Sequence, residues 1–199
     1  MNAYIKMIIF ALVLGVLTSG VLLAMNAWTE DRIAENEMVR IQATVLDAFD
    51  VDYEVNEVAD IFDDYVETVE VESDGESFVF FLDRNSDLIS FEFAGEGLWG
   101  PIEGVITLEG DFETISDMAV LVQEETPGLG GRIVEDDILD RFTGAEFPVQ
   151  FIKDADPNDP TQVDAISGGT ATSTAFQEIL EYNYEVYKTA WDLYEGGSN

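Results

Sequence analysis

The sequence predicts an α+β protein: an antiparallel sheet with packed helices, preceded by a single N-terminal transmembrane helix. Three observations predict it. One long uncharged apolar run stands near the N-terminus, several strand-length alternating segments occupy the middle, and a helical stripe closes the C-terminal end. The chain's 199 residues leave room for one ordinary domain besides the anchor.

The apolar run is MIIFALVLGVLTSGVLLAM, Met7 to Met25, without a charge. As a helix it is about 28 Å long, close to the hydrocarbon thickness of a bilayer. Tyr4 and Trp28 flank it where interfacial aromatics belong. Lys6 precedes it while Glu30 and Asp31 follow, so the positive-inside rule puts the rest of the chain outside the cytoplasm. The competing reading is a cleaved signal peptide, which would have a shorter apolar region and an A-x-A cleavage site. The expected organisation is an anchor over 1–29, a helical stalk or linker over 30–74 and a folded domain over 75–199.

Within the stalk, Ala34, Met38, Ile41, Val45 and Ala48 form one helical stripe, and Ile61, Phe62, Tyr65 and Val66 form a second, shorter one. From Ser77 the period changes to two. SFVFFLD and LISFEF flank the turn residues Arg84 to Asp87 and read as a hairpin. Gly104–Leu108 and Met118–Val122 read as two more strands, and Phe147–Ile152 as another. DADPNDP, with two prolines, is a loop. Beyond Thr174 a long helix is expected, with Phe176, Ile179, Leu180, Tyr184, Tyr187 and Trp191 on its apolar face and Thr174 with Gln177 as a capping box.

Charge excludes some functions. There are 42 Asp and Glu against 8 Lys and Arg, and no His. Such a chain has no basic patch to meet phosphates, so nucleic acid is not a partner. The acidity fits a solvated surface in salty or alkaline surroundings, and a dedicated cation-binding role is the sharper alternative. Without Cys there are no disulfides and no Cys-ligated zinc or iron–sulfur clusters. Without His or Cys the usual nucleophile–base pairs of hydrolases are missing too. No metal site is expected. Asp154, Asp156, Asn158 and Asp159 begin like a calcium loop, but Asp159 stands where Gly is needed and Ala165 where a bidentate Glu is needed. Gly95, Gly97 and Gly100 match G-x-G-x-x-G by letter, yet Pro101 and a strand pattern follow instead of a helix.

Two segments carry the functional signal. Asp164-Ala-Ile-Ser167-Gly168-Gly169-Thr170 is followed by Ala171, Thr172, Ser173 and Thr174. Small residues and hydroxyls ahead of a helix N-terminus suit a phosphate, and they also suit a plain Ser/Thr-rich helix cap. The second, Glu125-Thr126-Pro127-Gly128-Leu129-Gly130, reads on its own as a Pro-Gly turn with an exposed Leu.

Together these segments resemble a known family, the FMN-binding subunits of sodium-pumping NADH:quinone reductase and of Rnf electron transport complexes. The first is similar to that family's flavinylation motif, D-x-x-S/T-G-A-T. Asp164, Ser167 and Gly168 fall at its fixed places, and Gly169 stands where the family usually has Ala. The second resembles the family's E-T-P-G-L-G loop beside the flavin, and Gly97-Leu98-Trp99 with Gly100 resembles the quinone-reductase branch. The resemblance covers roughly Leu98 to Tyr187.

It implies covalent FMN held through a phosphoester to Thr170, attached from FAD by a separate Mg²⁺-dependent flavin transferase. Thr170 would be an attachment site and not a catalytic nucleophile. Thr172 and Ser173 are the candidates for supporting the phosphate, while Glu125, Thr126, Leu129, Gly130 and Trp99 would lie around the ring. The implied role is a membrane-anchored electron carrier beside other membrane subunits of an Rnf or NADH:quinone reductase complex, with lipid around its anchor. A stand-alone extracellular flavin carrier and a non-catalytic exported acidic interaction domain are the alternatives.

Overall fold

A computed structural model describes residues 2–197. The chain divides into two compact units, one ending at Ile41 and one beginning at Gln42. The first is formed by most of helix α1 (Ala3–Ala48), which is long and apolar enough to cross a membrane. Of the stripe expected beyond the apolar run, Ala34 and Met38 are exposed and Val45 is buried, so the stripe is covered only at its C-terminal end.

The second unit continues with helix α2 (Val58–Tyr65) and five strands: β1 (Val66–Ser73), β2 (Glu76–Asp83), β3 (Ile89–Glu96), β4 (Pro101–Leu108) and β5 (Ile115–Val122). They form one antiparallel meander in chain order. A 3-10 turn (Gly130–Val134), short helix α3 (Asp136–Leu139) and two parallel three-residue strands, β6 (Gln150–Ile152) and β7 (Gln162–Asp164), lead to helix α4 (Thr170–Gly197).

Three elements differ from the sequence expectation. Val66–Ser73, expected within the stalk, is a full partner of β2, because Val69 and Val71 alternate with Glu70 and Glu72 at the period of a strand. The strand expected from Phe147 begins only at Gln150, since Pro148 has no N–H to offer a ladder. Finally, α4 starts at Thr170, four residues before the expected cap. Thr174 lies inside the helix with its hydroxyl donating to the Thr170 carbonyl at 3.0 Å. Gln177 accepts from the Phe151 N–H at 2.9 Å, which ties α4 to β6 and leaves no capping box.

Alternation along the strands sends Phe78, Phe80, Ile89, Phe91, Phe93, Ile102 and Ile106 into one core with Phe176, Ile179, Leu180 and Trp191 of α4. Tyr187 stacks on Phe91 with ring centres 4.2 Å apart, and Trp191 lies parallel to Phe112 at 5.3 Å. Each fully buried ring contributes about 1.5–3 kcal/mol by leaving water, plus about 0.5–1.5 kcal/mol for ring-pair geometry. A second group, Val45, Leu46, Phe49, Val58, Phe62, Val66 and Phe81, is buried outside this core, with Phe62 edge-on to Phe81 at 5.7 Å.

Asn183 fixes α4 along β3. Its Nδ2 donates to the Ala94 carbonyl at 3.0 Å and to the Ile179 carbonyl at 2.7 Å. Docked in this way, α4 brings its first turn to the end of the sheet where β3 turns into β4.

Candidate functional site

Three segments meet at that end of the sheet. The first is the β3–β4 turn, closed by Gly97 N–H donating to the Gly100 carbonyl at 2.9 Å. No helix follows it, so the glycine spacing serves a hairpin and not a nucleotide fold. The turn presents Leu98 and Trp99 to solvent, 52% and 68% exposed.

The second segment follows β5. Leu129 N–H donates to the Thr126 carbonyl at 3.1 Å, with Pro127 and Gly128 between them and Gly128 at φ +74°, as a type II turn requires. This turn projects Leu129, 46% exposed, while Thr126 is exposed and Gly130 is buried.

The third is the stretch from β7 into α4. Gly168 adopts φ +80°, a conformation that side chains resist, and it passes beneath Leu129: a Cβ there would stand 2.9 Å from Leu129 Cδ2. Gly169 is buried against Gly130, and a Cβ on it would meet Gly130 Cα at 3.3 Å, so the Ala usual in the motif would need a small adjustment here. Thr170 then opens the helix with its side chain exposed. The N–H groups of Thr170, Ala171 and Thr172 have no carbonyl one turn earlier in the helix to pair with, and the positive end of the helix dipole lies there.

Between the segments lies a cavity of about 220 Å³. Leu98 and Trp99 line it from the first, Glu125, Thr126, Leu129 and Gly130 from the second, and Gly168, Gly169, Ala171 and Thr172 from the third. Drug-sized ligands occupy pockets of about 300–1,000 Å³, so this one takes part of a flavin nucleotide and leaves the rest at the surface. No Lys or Arg lines it. A phosphate held here would therefore be met by backbone N–H groups rather than by cations.

The buried polar atoms are internally committed. Glu125, 3% exposed, accepts from Leu98 N–H at 2.6 Å and Trp99 N–H at 3.1 Å through Oε1, and from the Thr172 hydroxyl at 2.6 Å through Oε2. Ser173 Oγ accepts from Ile166 N–H at 3.2 Å. The hydroxyls of Thr172 and Ser173, expected to support a phosphate, are thus buried in contacts within the protein, whereas Thr170 is exposed and stands between Gly169 and Ala171, which line the cavity, without lining it itself.

Asp164, Ser167 and Ser173 lie off the cavity. Asp164 Oδ1 accepts from Ala155 N–H at 2.9 Å, and its carbonyl accepts from Arg141 at 3.3 Å, so it fastens the DADPNDP loop to β7. Two residues absent from the expected ring of contacts, Leu98 and Ala171, do line the cavity. Leu98 was signalled by its place inside the Gly97–Gly100 turn. Ala171 carried no signal beyond adjoining Thr170.

The family model of the FMN-binding domain matches residues 97–185, a stretch that contains all three segments. Over this stretch, somewhat under half of the chain, the sequence is similar to the FMN-binding domain family. Among curated relatives, the matching Na⁺-translocating NADH-quinone reductase subunit of Vibrio vulnificus is 30% identical over 115 residues, covering 52% of this chain and 45% of that protein. Its counterpart in Pseudomonas aeruginosa is 30% identical over 111 residues, covering 50% and 42%. The chain therefore spans less than half the length of the curated relatives it matches. The crystal structure of the Na⁺-translocating NADH-quinone reductase subunit from Parabacteroides distasonis is 25% identical with a TM-score of 0.64, covering 77% of this chain and 92% of that one. The crystal structure of Shewanella oneidensis NqrC has the same fold, with a TM-score of 0.65 at 24% identity over 75% and 91% of the two chains.

In an FMN-binding domain these residues have separable uses. Leu98, Trp99 and Leu129 offer exposed apolar surface to a flat heterocycle, the amides opening α4 offer donors to a phosphate, and the buried glycines let the segments approach closely. The residues present fit FMN.

Proposed function

We propose that this chain carries FMN joined by a phosphoester bond to Thr170 and relays electrons within an ion-translocating membrane complex of the Rnf or NADH:quinone reductase type. The observation that carries the reading is the placement of Thr170. It is an exposed residue at the start of a long helix, between Gly169 and Ala171, which line a cavity that Leu98, Trp99 and Leu129 also line. In the attachment step the Thr170 oxygen bonds to the FMN phosphorus of FAD and AMP leaves, a reaction assigned to a separate flavin transferase. Bound FMN supplies the electron chemistry, and the protein supplies position and surroundings.

The apolar helix within Ala3–Ala48 serves as the anchor in lipid, and the charge asymmetry of Lys6 against Glu30 and Asp31 supports an extracytoplasmic side for the FMN-binding domain. Partner subunits would hold the domain within reach of an electron donor and acceptor.

The test is expression with a flavin transferase followed by a denaturing gel. A fluorescent band that survives denaturation and disappears in Thr170→Ala is expected. Fluorescence that survives in Thr170→Ala but is lost in Thr172→Ala or Ser173→Ala contradicts the assignment. Copurification of membrane subunits distinguishes a member of a complex from a stand-alone carrier, and a C-terminal reporter active only in the cytoplasm would reverse the topology.

A further inference from the structure

The Glu125 carboxylate is the buried junction of the three segments. Its backbone N–H is fixed by Gln123 Oε1 at 2.7 Å, and its side chain reaches two ways. One oxygen takes both amides at the tip of the β3–β4 turn, and the other takes the hydroxyl of Thr172, two residues beyond Thr170. Glu125 and Thr172 are 47 positions apart in the chain, so this bond joins segments with no local reason to meet. Glycine at 130 is what allows it: a Cβ there would lie 2.1 Å from Thr172 Oγ1 and 2.9 Å from Glu125 Oε2.

Resting on the reading of Thr170 as the attachment point, we infer that Glu125 and Thr172 are a positioning pair which pins the Leu98–Trp99 tip to the first turn of α4. The residues that cover the ring and the residue that holds the phosphate then stand at a fixed separation. Glu125 acts through these segments and not by touching the flavin. The side-chain chemistry is selective. A carboxylate accepts at both oxygens and so satisfies three donors, whereas a Gln amide accepts at only one atom and presents an NH₂ at the other. Because the site is buried, each unmatched donor is costly. Leu98 and Trp99 are themselves exposed, so without the carboxylate their amides would stand on a loose hairpin tip.

The pin is tested first without flavin, by amide hydrogen exchange on the full chain carrying Thr170→Ala. Adding Glu125→Ala should speed exchange at Leu98 and Trp99 by about ten- to hundredfold, the range set by loss of charge-assisted hydrogen bonds. Thr172→Val, which keeps shape but removes the donor, should give a smaller rise at the same two amides. Glu125→Gln should fall between the parent and Glu125→Ala. In chains with Thr170 intact, the same substitutions should lower the fluorescence anisotropy of the flavin that is attached. Unchanged exchange at both amides in Thr172→Val and Glu125→Gln overturns the pin. So does faster exchange spread evenly over the sheet, which is the signature of a general structural role. Since the exchange arm contains no flavin, failure of the attachment reading leaves it interpretable. Should Glu125→Ala fail to fold, Thr172→Val and Glu125→Gln decide the matter alone.

Discussion

The core beneath α4 and the site at its first turn are built by opposite rules. In the core, large rings fill the space and pack on one another: Phe80, Phe91, Phe112 and Phe176 are buried, and Tyr187 and Trp191 stack on them. At the site, glycines clear the space, Leu98, Trp99 and Leu129 remain exposed, and a buried carboxylate ties the segments together. The same helix serves both, with its middle and end in the core and its first turn in the site. Stability and flavin handling should therefore respond to different substitutions on one element.

The largest expected effect is in the core. Phe91→Ala removes a ring in contact with Tyr187 and Phe112 and should cost about 3–5 kcal/mol in denaturant unfolding. Thr170→Ala, exposed at the helix start, should stay within about 0.5 kcal/mol of the parent while losing the flavin. Comparable destabilisation by the two would erase the distinction.

Gly130→Ala sharpens the boundary between the regions. Its Cβ would displace the Thr172 hydroxyl from Glu125, costing about 1–3 kcal/mol as overpacking does, and it should also disturb the bound flavin's spectrum. A normal spectrum and melting temperature would show that the close approach at Gly130 is not required.

Alkaline pH probes the core and not the site. Burial first, then the nearby Glu113, Asp111 and Asp192, pushes the Tyr184 phenol up to about 12, and burial with Glu92 does the same for Tyr187. Both folded values exceed the unfolded value of 10.0, so the folded state holds these protons more tightly. Their contribution is complete below about pH 10 and is lost as pH rises through about 12. Unfolding followed across that window should show falling stability, and the decline should shrink in Tyr187→Phe.

The smallest effect on stability is at Leu129. Leu129→Ala should change unfolding by only about 0.5 kcal/mol, since the side chain is half-exposed, yet shift the flavin's absorbance bands or midpoint potential. Spectra and potentials identical to the parent in both Leu129→Ala and Thr126→Ala would remove this loop from the flavin site.

What could be read in advance divides along the same line. The core strands alternate and the apolar face of α4 repeats at helical spacing, so local pattern found them. β1 escaped because its valines sit among glutamates and Val66 also completes a helical stripe with Ile61, Phe62 and Tyr65. The start of α4 was misplaced because a Ser/Thr run offers several caps, and only the geometry at Gly168 and Gly169 shows where the loop ends. At the site, both loops and Thr170 were visible as motifs. The commitment of Thr172 to Glu125, and of Ser173 to Ile166, was not, since hydroxyls read alike in sequence and their partners are set by tertiary contact.

The most direct measurement is mass spectrometry of a tryptic digest after expression with a flavin transferase. No Lys or Arg lies between Lys153 and Lys188, so one peptide, residues 154–188, holds the entire motif and every competing hydroxyl from Thr161 to Thr174. The account predicts that this peptide gains the mass of FMN less one water and that fragmentation places the addition on Thr170. An unmodified peptide from a yellow protein, or an addition on Ser167, Thr172, Ser173 or Thr174, would contradict it.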